Sequence, residues 1–241
     1  VTSYLITTPQ GHILLDGGFP ETAAQIQRNV EALGFKLRDI RYIITSHAHY
    51  DHVGGVAELK RVTGAKLVTS ADDAALLARG GKNDFAFADR LAYPAVTADQ
   101  TIRHGGRLKL GGTTLKAHFT PGHTKGCITW EMTAREGGRS YNVVFVGSAS
   151  VPGYRLVDNE NYPGIVKDYE TTFARLAALQ PDVFLSAHGS QFNLEEKMKA
   201  RATSAANPFI DPAGYRAYVR SAREAFRSNL ARQRAERAST K

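Results

Sequence analysis

Six residues of this 241-residue chain have the types and spacing to hold metal ions. Three imidazoles and a carboxylate lie within Ser46-His47-Ala48-His49-Tyr50-Asp51-His52. Neutral imidazole nitrogen and carboxylate oxygen are ordinary zinc ligands. Alternate side chains of an extended segment face the same way, so His47 and His49 can grip one ion. Gly54-Gly55 is expected to let the chain turn sharply after them. His123, in Thr120-Pro121-Gly122-His123-Thr124, and His188, in Ser186-Ala187-His188-Gly189, each close a run that reads as a strand. A histidine there sits at the rim of a sheet, where sites on α/β scaffolds collect. Five of the eight histidines and Asp51 thus make six donors. That number suits two tetrahedral ions sharing a water or hydroxide better than it suits one.

The elements that must position these donors follow from periodicity and from chain breakers. Strands are predicted at Ser3–Thr7 and His12–Asp16, joined by a turn at Pro9-Gln10-Gly11. A helix is predicted over Glu21–Leu33, stopping at Gly34. The β-branched run Arg41–Thr45 reads as a buried strand feeding the polar segment Ser46–Gly55. A helix at Val56–Val62, a strand at Lys66–Thr69 and a helix at Ala71–Ala78 come next. Residues 82–100 show no period and are expected to form a long functional loop. Further strands are predicted at Arg107–Leu110, Thr114–Phe119, Cys127–Met132, Tyr141–Val146 and Asp182–Ser186, and helices at Lys167–Leu179, Leu194–Ala205 and Pro212–Arg234. Mixed strands and helices without repeat or linker predict a layered α/β fold, residues 1–241 forming one domain.

Composition narrows the class. Hydrophobic residues at 42% and charged residues at 22% are ordinary for a folded chain with a sizeable core. Every apolar run is too short to span a bilayer. The single cysteine, Cys127, rules out an internal disulfide and a cysteine-built zinc finger. It falls in a predicted strand and is expected to be a buried, inert thiol. Of the net charge of +8, six units lie in residues 216–241, which hold eight Lys/Arg against two Glu. Arg216, Arg220, Arg223 and Arg227 run beside an apolar stripe of Tyr215, Val219, Ala222 and Phe226. This predicts an amphipathic helix docked on the body with a solvated basic face and a frayed end. Neither a nucleic-acid nor a membrane partner is expected.

The H-x-H-x-D-H cluster, Pro121-Gly122-His123-Thr124, the late His188 and Leu14-Leu15-Asp16-Gly17-Gly18 resemble the metallo-β-lactamase superfamily. The resemblance implies an αββα sandwich, two mixed sheets flanked by helices, with a binuclear site at one edge. Many relatives place an aspartate that bridges both metals after the strand that corresponds to Tyr141–Val146. This chain reads Gly147-Ser148-Ala149-Ser150, which resembles the third subclass of class B β-lactamases, as does Val151-Pro152-Gly153-Tyr154. The resemblance implies two Zn²⁺ ions: His47, His49 and His123 would bind the first, and Asp51, His52 and His188 the second. It implies hydrolysis of the amide of a small-molecule β-lactam by a metal-bound hydroxide that Asp51 holds. Ser148 and Ser150 would meet the substrate carboxylate, and Phe87 and Leu91 would flank the groove. A monomer in the periplasm or secreted, its signal peptide not in this chain, is expected. The alternative is a metallohydrolase of the same fold acting on a lactone, thioester or phosphodiester. Asp16 is expected to cap a strand end, or else to orient a metal ligand. His12, His104 and His118 are expected to be structural.

Overall fold

A computed structural model describes residues 1–239 of the chain. Two five-stranded sheets pack face to face between layers of helices. The first sheet runs in chain order: β1 (Tyr4–Thr8), β2 (Gly11–Leu15), β3 (Ile40–Ile44), β4 (Lys66–Thr69) and β5 (Gln100–Thr101). β1 is antiparallel to β2, and the rest are parallel. The second sheet contains β6 (Arg107–Leu110), β7 (Thr113–Phe119), β8 (Ile128–Glu136), β9 (Arg139–Val146) and β10 (Val183–Ser186), in the order β10-β9-β8-β7-β6. Only the pair of β10 with β9 is parallel there.

Alternation along each strand divides the core into three layers. Ile13, Leu15, Ile44, Val68, Leu115, Ile128 and Trp130 meet between the sheets. Leu14, Ile43 and Leu67 point outward, under α1 (Ala23–Ala32), α3 (Val56–Thr63) and α4 (Ala71–Ala78). Val144, Val146 and Phe184 pack under α5 (Ile165–Ala178) and α7 (Pro212–Ser239), through Tyr169, Phe173, Tyr215 and Phe226. This is the αββα sandwich that the resemblance implied. Between α5 and α7, α6 (Leu194–Arg201) packs beside the turn that follows β10.

Several boundaries differ from the sequence-based expectation for physical reasons. The β8–β9 hairpin extends beyond both predicted strands, to Glu136 and Arg139, around Gly137-Gly138 with φ of 58° and 78°. A two-glycine turn of that hand suits paired strands, and polar side chains mark the part that has left the core. The polar segment 46–55 contains a short helix, α2 (Tyr50–Val53). Residues 82–99 form the expected loop, and the short β5 after it was missed. The helix predicted over Leu194–Ala205 stops at Arg201. α7 continues to Ser239, past the expected Arg234, and buries Tyr215, Val219 and Phe226 while Arg216, Arg220, Arg223 and Arg227 stay exposed. Residues 240 and 241, part of the end expected to fray, lie outside the described residues. Among the described residues, no helix is long and apolar enough to cross a membrane.

The Gly54-Gly55 pair acts otherwise than expected. Both residues have ordinary helical φ, −58° and −85°. A Cβ on Gly54 would strike the Pro20 ring, and one on Gly55 the Gly17 carbonyl oxygen. Glycine is needed there for close approach of two segments, not for a left-handed turn.

Candidate metal centre

The donors stand together because each follows the carboxyl end of a strand on the same edge of the sandwich, where α/β sites form. The segment 46–52 follows β3, His123 follows β7, and His188 follows β10. Cross-sheet hydrogen bonds anchor the first segment. Trp130 Nε1 donates to the Thr45 carbonyl at 2.9 Å, and Ile128 N–H donates to the Ser46 carbonyl at 2.8 Å.

Two donor groups result. In one, single donor atoms of His47, His49 and His123 lie within 4.8 Å of one another. His49 Nδ1 approaches His123 Nε2 to 3.1 Å. In the other, His52 Nε2 lies 3.2 Å from both His188 Nε2 and Asp51 Oδ2. His188 Nε2 closes that triangle at 3.6 Å from Asp51 Oδ2. The rings of His47 and His52, 4.1 Å apart by centroid, join the groups. Asp51 is the one carboxylate in these groups among the described residues.

Electrostatics suit a cation. His47 is wholly buried; its Nδ1 lies 3.0 Å from Ser46 Oγ, and its Nε2 has no hydrogen-bond partner. Burial first, and then the surrounding imidazoles, holds His47 well below the ordinary histidine range. Burial does the same to His123, followed by His49. His123 Nδ1 lies 3.0 Å from the Ser150 carbonyl, so donating there leaves Nε2 with its lone pair. Burial lowers His49 to about 4. The buried His47 Nε2, which lacks a hydrogen-bond partner, would find one in a cation held among the three rings. Tetrahedral zinc with bonds of about 2.0–2.1 Å sets its ligand atoms about 3.3 Å apart, which matches these spacings. The residues therefore fit zinc.

Asp16 takes the role that the sequence ranked second. It is buried in a left-handed conformation, φ 63°, which aspartate tolerates better than most residues. Oδ1 accepts from Ser46 N–H at 2.7 Å, and Oδ2 from Ser46 Oγ at 2.6 Å. Oδ2 also lies 3.3 Å from His52 Nδ1, which turns His52 Nε2 toward Asp51 and His188. Asp16→Asn should keep the backbone and weaken metal binding at the Asp51 group about 10–100-fold, read by chelator competition.

The remaining candidates are placed less uniformly. Ser148 is only 1% exposed, and its hydroxyl lies 3.2 Å from that of Ser150. Ser150 is half-buried, with Oγ 3.3 Å from His123 Nδ1. The Ser150 hydroxyl thus stands beside His123, with that of Ser148 behind it. The Phe87 ring lies 5.3 Å from that of His49. Leu91, on the same loop, is 41% exposed and joins none of the hydrophobic clusters. Phe85 packs on Tyr154 and Tyr162, so it serves the core. His118 pairs with Glu131 at 2.8 Å, and His104 Nδ1 accepts from Phe119 N–H, both away from the donors. His12 packs edge-on against Phe35. The Cys127 thiol is pushed up to about 12 by burial.

Sequence reasoning missed several supports. Asp84 accepts from Ala86 and Phe87 N–H, both at 2.8 Å, and so shapes the turn that presents Phe87. An aspartate ahead of such a turn is a local signal that could have been read. The Tyr154 hydroxyl donates to the His123 carbonyl at 3.1 Å, and that of Tyr169 to the Ser150 carbonyl at 2.6 Å.

Comparison with known proteins agrees with this geometry. The family model described as the metallo-beta-lactamase superfamily matches residues 1–188. BJP-1, a subclass B3 metallo-β-lactamase of Bradyrhizobium japonicum, is 42% identical with a TM-score of 0.91, covering 97% of this chain and 89% of that one. A Cronobacter sakazakii metallo-β-lactamase described by its HARLDQ motif is 48% identical with a TM-score of 0.93, covering 97% and 89%. This chain reads His-Ala-His-Tyr-Asp-His at 47–52. A hydroxyacylglutathione hydrolase of Bradyrhizobium is 33% identical over 131 residues, which is 54% of this chain and 43% of that enzyme. On its donor motifs, its sandwich and these likenesses, the chain belongs to the metallo-β-lactamase superfamily, in the branch of the subclass B3 enzymes.

Proposed function

We propose that this protein hydrolyses the amide bond of β-lactams (penicillins, cephalosporins and carbapenems), with two zinc ions held by the two donor groups, and so confers antibiotic resistance. One observation carries the reading. The donor groups contain a single carboxylate, Asp51, and the end of β9 supplies Ser148 in place of a second. One carboxylate facing two divalent cations leaves a positive site. Such a site favours an anionic substrate over a neutral lactone, and a β-lactam carries its carboxylate beside the ring nitrogen.

Bound zinc supplies Lewis acidity toward the lactam carbonyl and a water that is nucleophilic near neutral pH. The chain's own residues do the rest. Burial favours the neutral form of Asp51, but the hydrogen bond and charge of His52 outweigh it and hold the carboxyl well below the usual range. As a carboxylate, Asp51 accepts a hydrogen bond from the attacking water and fixes its direction. Asp16 and the Ser150 carbonyl fix the ring orientations of His52 and His123. The Ser150 hydroxyl, oriented by Ser148 behind it, donates to the substrate carboxylate. Phe87 is an apolar wall beside His49, and Leu91 lies at the outer rim of the groove.

The test is hydrolysis of a small β-lactam panel, including a carbapenem, with added zinc and with a chelator. Zinc-dependent turnover that the chelator abolishes is the expected result. A protein with two zinc ions bound that turns over none of the panel would sink the reading. In that case a lactone, thioester or phosphodiester hydrolase becomes the better account, supported by the likeness to hydroxyacylglutathione hydrolase. Ser148→Asp should raise such activity if that one residue separates the two. The reading brings with it a monomer acting on small molecules in the periplasm or outside the cell.

A further inference from the structure

One carboxylate outside both donor groups joins the two loops that carry the three-histidine group. Asp73 lies in the first turn of α4 and is 1% exposed. Its Oδ2 accepts from Ala48 N–H at 3.0 Å and from the Thr124 hydroxyl at 3.2 Å. The Gly126 backbone closes on the same carboxylate. Ala48 stands between His47 and His49, and Thr124 follows His123. The other side of the Ala48 peptide is held as well, because the Tyr93 hydroxyl donates to its carbonyl at 2.8 Å. Gly126 is needed for this approach, since a Cβ there would lie 2.6 Å from Asp73 Oδ1. Asp73 is fixed in turn by Ser70, which caps α4 by accepting its N–H at 3.2 Å.

A buried carboxylate is costly unless donors converge on it. Here two donors do, one from each of two loops that sequence holds far apart. Losing either frees one loop relative to the other. Metal ligands tolerate little such freedom, because productive geometry must hold within about 0.5 Å.

We propose that Asp73 is a positioning residue for the group of His47, His49 and His123. By accepting from Ala48 and Thr124 together, it sets the 3.1 Å approach of His49 Nδ1 to His123 Nε2. It touches neither metal nor substrate, and the proposal rests on the reading that this group holds zinc.

Asp73→Asn keeps the size of the side chain but presents an amide N–H₂ where donors converge. Thr124→Val removes one donor at nearly constant shape, and Thr124→Ser keeps it. Zinc affinity and stoichiometry are measured by competition with a chromophoric chelator, and the cobalt-substituted protein is compared by visible absorption. A His188→Ala background leaves the three-histidine group whole and assigns the effect to it. Asp73→Asn should weaken zinc at that group about 10–100-fold and change its cobalt spectrum. Thr124→Val should weaken it about 2–10-fold, the equivalent of one hydrogen bond, and Thr124→Ser should restore it. Unchanged affinity in both Asp73→Asn and Thr124→Val overturns the proposal, as does equal weakening of both zinc ions, which marks a structural role alone. If Asp73→Asn does not fold, the comparison of Thr124→Val with Thr124→Ser decides. A wild-type protein that binds no zinc rejects the metal-centre reading itself, and this inference with it, before any variant is compared.

Discussion

Asp51→Asn should lower kcat/KM for a carbapenem by about 10²–10⁴-fold, because a contact that orients the attacking water and a metal ligand are lost together. Asparagine keeps the shape of the side chain, and Asp51 lies at a partly exposed rim with 29% of its side chain accessible. The fold should therefore survive, with a circular dichroism spectrum like that of the wild type. What changes is charge. Asp51 is the only anion in either donor group, so the variant leaves imidazoles alone around two divalent cations. Its oxygen also faces His52 Nε2 at 3.2 Å and His188 Nε2 at 3.6 Å, so the group it shares with them loses metal affinity as well. Steady-state kinetics at saturating zinc separate the two effects. A deficit that excess zinc restores fully would mean that Asp51 only binds metal. A deficit below tenfold would remove it from the reaction.

On acidification in dilute zinc, the protein should pass from two zinc ions to one before losing the last. The reason is the protonation state of each group without metal. Burial disfavours the charged form of His52, yet its hydrogen bonds to Asp16 and Asp51 and their charges outweigh burial and raise it to about 9. It is an imidazolium at neutral pH, and metal must expel that proton. Affinity at the Asp51 group should therefore fall about tenfold per pH unit below that value. Burial depresses His47 and His123 well below the ordinary range and His49 to about 4. Those three are already neutral at pH 7, so binding there displaces no proton until the solution is far more acidic. Emission spectrometry of metal per protein, measured alongside kcat/KM from pH 8 to 4, reads both steps. Loss of both ions in one step would contradict the assignment. The same shifts set the stability of the metal-free protein. Between about pH 4 and 6.5 the unfolded chain binds protons that folded His47, His49 and His123 refuse, so stability falls as pH falls. His52 acts in the opposite sense: its stabilising effect is full below about pH 6.5 and is lost as pH rises through 9.

Much of the site was legible without coordinates, because its strongest signal is local. His47, His49, Asp51 and His52 fall within six positions, and an extended segment entering a short helix places their side chains together whatever surrounds them. β4, α4 and β6 keep their predicted ends, since glycine, serine or a change of period bounds each one. The layer order of the sandwich was legible only through the family resemblance. The supports that act across long stretches of chain were not legible, for a common reason. Asp16 lies 36 residues from His52, Asp73 25 from Ala48, and Tyr93 45 from Ala48. Nothing in their own neighbourhoods distinguishes an aspartate that caps a strand from one that turns an imidazole. Gly54 and Gly55 were misread likewise, because the Pro20 ring and Gly17 carbonyl that crowd them arrive only with the packed chain. Sequence by itself therefore determined the donor set and the sheet-edge positions from which it projects, because residue type and periodicity are properties of short segments. Tertiary structure alone decided the 3.1 Å and 3.2 Å approaches that gather it into two donor groups. Those distances are set where Trp130 and Ile128 of one sheet bond Thr45 and Ser46 of the other, and no single segment contains both partners.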